Sequence, residues 1–228
     1  MKIVVLTGAG ISAPSGVRTF RDAGGLWENH RMEDIATPEA WHRDPDLVLR
    51  FYNDRRAQLA QVEPNAAHRT LAAWDRDHDV TVITQNVDNL HERAGSHHIV
   101  HLHGELTKAR STRYPADVID IGYAPIARGD VCSRGAQLRP YIVWFGEAVP
   151  ALEEAAAIME TAELVVVIGT SLQVYPAASL TQFAPPAAAC YLVDPRPQNV
   201  PLGYEVVTES AERGVPHLAD LLGLPQSE

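Results

Sequence analysis

Cysteine is scarce in this chain: Cys132 and Cys190 are the only two in 228 residues. Two widely separated thiols give no disulfide framework, so the expected setting is a reducing cytoplasm. Positive charge is also in short supply. Nineteen Lys and Arg stand against 29 Asp and Glu, for a formal net charge of -10. Phosphate-backbone binding needs a basic footprint, which argues against nucleic acid as a partner but leaves basic protein tails open. Long apolar runs are missing too. None reaches the roughly 18 residues that a membrane span requires, and Met1-Lys2 runs straight into a strand-like segment with no cleavage-site pattern. Neither a membrane anchor nor a secretory leader is expected. Internal repeats and low-complexity tracts are absent, which removes the solenoid and linker classes.

What is present is a set of short apolar runs at 3–7, 80–84, 99–102, 141–145, 164–168 and 190–193. Unbroken apolar runs suit strands buried on both faces of a parallel sheet. Helix-like stretches lie between them. Asp44-Pro45 reads as an N-cap and first-turn proline for a helix reaching Leu59. Others are expected from Pro64 to Trp74, from Val87 to Ala94 with Gly95 as stop, from Ala151 to Thr161, and from Pro216 to Leu222. The alternation predicts an α/β fold: a Rossmann-like, doubly wound, mostly parallel sheet. Two stretches break the rhythm, one helical and charged without a sheet strand (22–60), one loop-like (107–139). They predict a smaller inserted module, helical plus loop-rich. The expected division is a Rossmann-like part of about 1–21, 64–106 and 140–228, and a small module of about 22–63 and 107–139.

Chemistry-bearing residues gather at the ends of the predicted strands. The first strand enters Gly8-Ala9-Gly10-Ile11-Ser12, where glycines let the backbone approach a pyrophosphate and the N–H groups of a following helix are expected to supply the donors. Thr84-Gln85-Asn86-Val87-Asp88 places amides and a carboxylate at the edge where such sheets bind ligands. His101-Leu102-His103-Gly104 puts both imidazoles on one strand face, with the glycine leaving space beside His103. Gly169-Thr170-Ser171 offers small donors, and Asp194 suits ribose hydroxyls.

In order, GAGIS, TFR, TQNVDNLHERAG, HLHGEL, VWFGE and GTS resemble the sirtuin family of NAD-dependent protein deacylases, from residue 3 to about 195. The resemblance implies NAD as a consumed co-substrate, acyl-lysine peptides or proteins as partners, and nicotinamide, O-acyl-ADP-ribose and free lysine as products. It places Gly8, Ala9, Gly10, Ser12 and Arg21 along the phosphates and adjacent ribose, and Phe20 beside the nicotinamide ribose. Gln85, Asn86 and Asp88 would form the nicotinamide-side pocket, Asp88 holding the carboxamide, and His103 would be the general base. Gly169, Thr170 and Ser171 would contact phosphate and adenosine ribose, and Asp194 that ribose. Val143, Trp144, Phe145 and Gly146 would form the strand along which substrate pairs. An NAD glycohydrolase or ADP-ribosyltransferase, or a non-catalytic NAD sensor, are the competing readings of the same scaffold.

Tyr52 and Arg55 share a helix face at i,i+3 and resemble the pair of the class III subgroup, whose members remove succinyl and malonyl groups. A guanidinium and a phenol suit a distal carboxylate, and Ala23 matches the small residue that leaves room. The bland alternative packs Tyr52 in the core and leaves Arg55 as a solvated charge. The chain departs from the family in four places. Pro14 replaces a usual glutamate, Asn89 a common glycine and Asp194 a frequent asparagine, and only Cys132 falls where four zinc-ligating cysteines would lie. No structural zinc is expected. The small module would instead be held by Tyr114, Val118, Ile119, Ile121, Tyr123 and Ile126 packing together. The cluster of His97, His98, His101 and His103 lacks a recognisable ligand spacing, so no metal is assigned to it.

Overall fold

A computed structural model describes residues 1–17, 26–27 and 30–227. Its centre is β1 (Lys2–Thr7), five of whose six residues are buried. β-branched side chains stiff at χ1 favour this extended backbone, and alternation sends Ile3 and Val5 to one face, Val4 and Leu6 to the other. Following it are a short hairpin, β2 (Leu26–Trp27) and β3 (His30–Arg31), then helices α1 (Met32–Ile35), α2 (Pro38–Arg43), α3 (Pro45–Leu59) and α4 (Ala66–Trp74). Next come β4 (Asp79–Thr84), α5 (Leu90–Ala94), β5 (Ile99–His101), β6 (Gly104–Ser111), β7 (Val118–Asp120) and β8 (Leu138–Ile142). The chain continues through α6 (Leu152–Met159), β9 (Leu164–Ile168), β10 (Ala189–Val193), β11 (Glu205–Val207) and α7 (Ala211–Leu222).

Six strands form one parallel sheet in the order β11-β10-β9-β1-β4-β5. From β1 the chain winds outward through β4 and β5, then returns to β9 on β1's other side. That reversal makes the β1/β9 crevice a topological switch point, where such sheets take ligands. Register keeps the strand ends level: Thr7 pairs with Thr84 and Ile168, and Ile168 with Val193. On one face Ile3, Val5 and Val166 pack against Leu71 and Trp74 of α4 and Val215 and Leu218 of α7. On the other, Val4, Leu6 and Val165 pack against Ala155 and Met159 of α6 and Leu180 in the 3-10 segment Ala177–Phe183. The sheet is therefore doubly wound, as the alternation predicts.

The helix stops and starts follow local chemistry. Asp44 caps α3, its carboxylate accepting from the Leu47 amide at 2.9 Å. Asn65 caps α4, later than the predicted Pro64 start, in a box closed by His68. Asp88 accepts from the Leu90 amide at 3.1 Å, so α5 begins three residues after the predicted Val87. The last helix starts at Ala211, not Pro216, which lies inside it.

Differences from the sequence reading concentrate in the smaller part. The apolar run at 141–145 is not a strand of the main sheet. β8 ends at Ile142 and pairs antiparallel with β6, which also pairs with β7, in a separate three-stranded sheet. Residues 107–139, expected as loop, thus carry strands, and 22–60, expected without any, contains the β2–β3 hairpin. The second sheet includes 104–106 and 140–142, segments the sequence reading gives to the Rossmann-like part. Strand β11 has no counterpart in the reading. Val118, Ile119 and Tyr123 are exposed, whereas Leu49, Ala109, Ile126, Cys132 and Leu138 form the local core, with Tyr114 and Ile121 packed on it. In an edge pairing as short as β7, outward side chains face water however apolar they are.

Candidate active site

The motif loops meet over the switch point. Gly8 donates its amide to the Ile168 carbonyl at 3.0 Å and Gly10 to the Gly169 carbonyl at 2.9 Å, while Ile11 and Ser12 bond back to Gly8 and Ala9. A Cβ on Gly10 would stand 2.6 Å from the Gly169 Cα, and one on Gly8 2.7 Å from the Thr170 Cβ. The glycines therefore serve first to dock two loops together. Four amides of the turn are spent on backbone carbonyls, a correction to the expectation of a helix N-terminus presenting them; the turn is two 3-10 segments, Ala9–Ile11 and Ala13–Ser15.

Behind this cradle lies a polar network. Ser12 donates its hydroxyl to Asp88 Oδ2 at 2.9 Å. The Asn86 side-chain amide donates to the Gly8 carbonyl at 3.1 Å and to Ser12 Oγ at 3.2 Å. Gln85 reaches Thr170 Oγ1 at 3.2 Å. Burial pushes the Asp88 carboxyl above its usual range, opposed by the Ser12 and Leu90 donors. His103 places Nδ1 at 3.0 Å from the Gln85 carbonyl oxygen. A carbonyl only accepts, so Nδ1 carries the proton and Nε2 keeps its lone pair. Burial holds this imidazole below its usual range, the Gln85 contact partly opposing it. Gly104 is needed for the strand crossing and not to leave space beside His103: its φ is +83°, and a Cβ there would meet the Tyr141 carbonyl oxygen at 2.1 Å.

A third wall comes from α3 and the segment after β8. Tyr52 is fully buried in the core cluster with Ile35, Phe51 and Trp144, as the bland alternative expects, but Arg55 is 6% exposed and is not a solvated charge. The Trp144 indole donates to the Tyr52 hydroxyl at 3.1 Å, and the Arg139 guanidinium stacks 3.3 Å above the Trp144 ring. Burial pushes the Tyr52 phenol far up, so it stays neutral. Arg139 and Arg110 converge on Glu147, which also accepts from the Trp144 amide at 2.8 Å. Val143, Trp144, Phe145 and Gly146 are an irregular segment here, with Val143 bonded to the His103 carbonyl and Phe145 to Ala36.

One cavity of about 410 Å³ joins all of these. Its lining includes Gly8, Ala9, Gly10, Ser12, Gln85, Asn86, Asp88, His103, Gly169, Thr170, Ser171 and Asp194, together with Tyr52, Arg55 and Val143 to Gly146. Phe20, Arg21 and Ala23 lie outside the described residues. Asp194 is buried, and its carboxylate accepts from the Arg196 amide at 2.8 Å. Met32, Val149, Tyr175 and Arg196 also line the cavity and are missed by sequence reasoning. They come from segments with no motif, and only the fold brings them near. The histidines do not gather as one group: His97 pairs with Asp75 at 2.9 Å. Among the described residues, the one cluster of metal-ligating type is Glu92, His101 and Glu105. Glu92 already bonds His101 at 2.6 Å, and Lys108 holds Glu105 at 2.8 Å.

Comparison with known proteins agrees with this architecture. A profile described as the Sir2 family matches residues 8–176. An NAD-dependent protein deacylase of Bacteroides thetaiotaomicron is 53% identical over 227 residues, covering 96% of this chain and 97% of that protein. A solved Sir2 homologue mutant in complex with ADP ribose superposes with a TM-score of 0.88 at 36% identity, covering 98% of this chain and 94% of the other. A Sir2 homologue in complex with NAD gives 0.86 at 36% identity, covering 97% and 90%. The chain belongs to the Sir2 family.

Proposed function

We propose that this cavity binds NAD and an acylated lysine side chain together, and that the chain is an NAD-dependent protein-lysine deacylase. The observation that carries the reading is that one cavity is lined by the switch-point loops, by His103, and by Tyr52 and Arg55. The residues fit a dinucleotide: a glycine cradle docked on a second small-residue loop, amide and carboxylate side chains beyond it, and Asp194 at the end of β10 for ribose hydroxyls. The name of the Bacteroides relative supports the same activity.

NAD supplies an activated ribose on loss of nicotinamide. Gly8, Ala9, Gly10 and Gly169, small enough for close approach, would border its phosphates, and the Thr170 and Ser171 hydroxyls would donate to them. Asn86 and Asp88, fixed by Ser12, orient the nicotinamide end, and Gln85 borders it. The oxygen of the acyl-lysine amide would take the ribose carbon as nicotinamide leaves; His103, neutral with Nε2 unprotonated, would then take a proton from a ribose hydroxyl so that this oxygen attacks the acyl carbon, and water would expel the lysine amine. Trp144 and its neighbours line the path of the lysine chain, and the products are O-acyl-ADP-ribose and free lysine. Tyr52 and Arg55 sit where the far end of the acyl group would lie, which favours acyl chains ending in a carboxylate, succinyl or malonyl, alongside acetyl. Acyl-lysine proteins are the partners. Both cysteines are free thiols, which suits a reducing cytoplasm. No described helix is long and apolar enough to cross a membrane.

Nicotinamide release from NAD, measured with and without an acetyl-lysine peptide, tests the activity. Release that depends on the peptide supports deacylation. Equal release without it would point to glycohydrolase chemistry instead.

A further inference from the structure

His101 ends β5 whereas His103 lies in the bend before β6, so the two do not share a strand face as the sequence pattern predicts, but both point an Nδ1 at the loop that carries Asn86 and Asp88. His103 meets the Gln85 carbonyl and His101 the next one, Asn86, at 3.3 Å. The two imidazoles differ in what faces the other ring nitrogen. His103 lines the cavity, whereas His101 Nε2 meets Glu92 Oε1 at 2.6 Å. Each nitrogen of His101 thus faces a group that accepts, a carbonyl on one side and a carboxylate on the other. A ring that donates from both nitrogens is an imidazolium.

We propose that His101 is a cationic positioning residue for the Gln85–Asp88 loop, with Glu92 as its counter-ion, while His103, two residues on, stays neutral as the base. This rests on the reading of that loop as the nicotinamide end of the site.

Its placement explains how the loop is fixed on both sides. Within the cavity, Asn86 and Asp88 are tied to Gly8 and Ser12. Behind it, His101 ties the Asn86 carbonyl to Glu92 in α5, the helix whose Leu90 amide donates to Asp88. Loop and helix are thereby joined through one ring. The charged and titratable groups that face His101 are Glu92 and His91 from α5, Glu105 from β6 with Lys108 attached to it, and Asp88 from the loop. Burial alone would lower the His101 pKa, but the contacts with Glu92 and the charge of Glu105 outweigh it and raise it. In turn, the His101 charge acts with the Ser12 and Leu90 donors against the upward push of burial on the Asp88 carboxyl. The sign is definite. The loop is held while His101 is protonated and loosens as pH rises through its elevated pKa, so the effect belongs to the alkaline side of the activity profile.

The direct test is nitrogen NMR on the intact protein labelled with 15N-histidine, followed through a pH titration. The expected result near pH 7 is two protonated ring nitrogens on His101, and one protonated and one bare nitrogen on His103. A neutral His101 at that pH overturns the proposal. This reading does not depend on catalysis, so it stands apart from failure of the deacylase assignment, which would appear as absence of NAD consumption in the wild-type protein. The kinetic test is Glu92→Gln, with kcat/KM for NAD and for an acetyl-lysine peptide measured across pH. The alkaline limb for NAD should move down by about one pH unit, with the peptide KM unmoved and near-normal NAD parameters restored on the acid side. An unshifted limb, or equal losses for NAD and peptide at every pH, would reduce the pair to a structural role and overturn the proposal.

Discussion

The Gly10 amide and the Gly169 carbonyl oxygen lie 2.9 Å apart, and neither residue has room for a side chain against the other. This contact locks the turn after β1 to the turn after β9, so the two walls of the switch-point crevice are one unit. Gly10→Ala places a methyl against backbone that cannot yield cheaply. It should destabilise the fold by about 1–3 kcal/mol, the range for overpacking a close contact, and weaken NAD binding. Chemical denaturation and NAD titration of the variant check both.

His103 owes its assigned role to the Gln85 carbonyl, which fixes the tautomer, and to burial, which keeps the ring neutral. A base with a depressed pKa is active above that pKa and loses activity as pH falls through it. The acid limb of kcat/KM should therefore lie below the ordinary imidazole value of about 6.5. His103→Ala should remove nearly all deacylation while the thermal transition survives. A wild-type rate in that variant would take His103 out of the mechanism.

Arg55 is buried near Tyr52, and both line the cavity. Arg55→Met removes the charged donor, and a hydrogen bond to a charged group contributes about 1.5–3 kcal/mol. The kcat/KM for a succinyl-lysine peptide should fall by on the order of tenfold or more beyond any fall for the acetyl peptide. Parallel losses would detach Arg55 from acyl recognition.

His68 sits in the core against His91, with ring centroids 4.9 Å apart. Its Nδ1 accepts from the Asn65 amide in the α4 cap. Burial lowers its pKa to about 3. The native state therefore keeps this ring neutral while the unfolded chain protonates it below about pH 6.5. Stability is full above that pH and drains as pH falls toward 3, the unfolded state binding the extra proton. Between pH 7 and 4.5 the loss from this group is on the order of 2–3 kcal/mol. Urea unfolding at the two pH values should show a smaller drop in His68→Gln than in wild type.

Much of this fold is legible along the chain because its central strands are apolar on both faces. Runs such as Ile3 to Leu6 and Leu164 to Ile168 announce a parallel sheet, and the motif residues follow directly at their ends. The second sheet is harder to read. β6 mixes Lys108 and Arg110 with Leu106 and Ala109, and its partners are too short for a period to emerge. The role of the glycines changes for a related reason. A sequence shows that Gly8 and Gly10 are small, but only register reveals that Gly169 fills the space beside them. Arg196 and Tyr175 reach the cavity through topology alone.

The module beyond β6 has a consequence for metal content. Arg134 grips Asp117 with two hydrogen bonds, at 2.9 and 2.7 Å, and stacks 3.6 Å over the Tyr114 ring. These contacts tie the β6–β7 connection to the segment before β8. Cys132 lies in this module and Cys190 in β10 of the main sheet, so a four-thiolate site cannot be assembled. Elemental analysis of the purified protein should find zinc well below one equivalent, and Arg134→Ala should lower the thermal midpoint.

The central claim is that NAD cleavage here is coupled to removal of an acyl group from lysine. Mass spectrometry of both products, after incubation with NAD and acetyl-, succinyl- or malonyl-lysine peptides, tests it most directly. The account predicts O-acyl-ADP-ribose and deacylated peptide in equal amounts, with no turnover of NAD alone. Free ADP-ribose accumulating while the peptide stays acylated would contradict it.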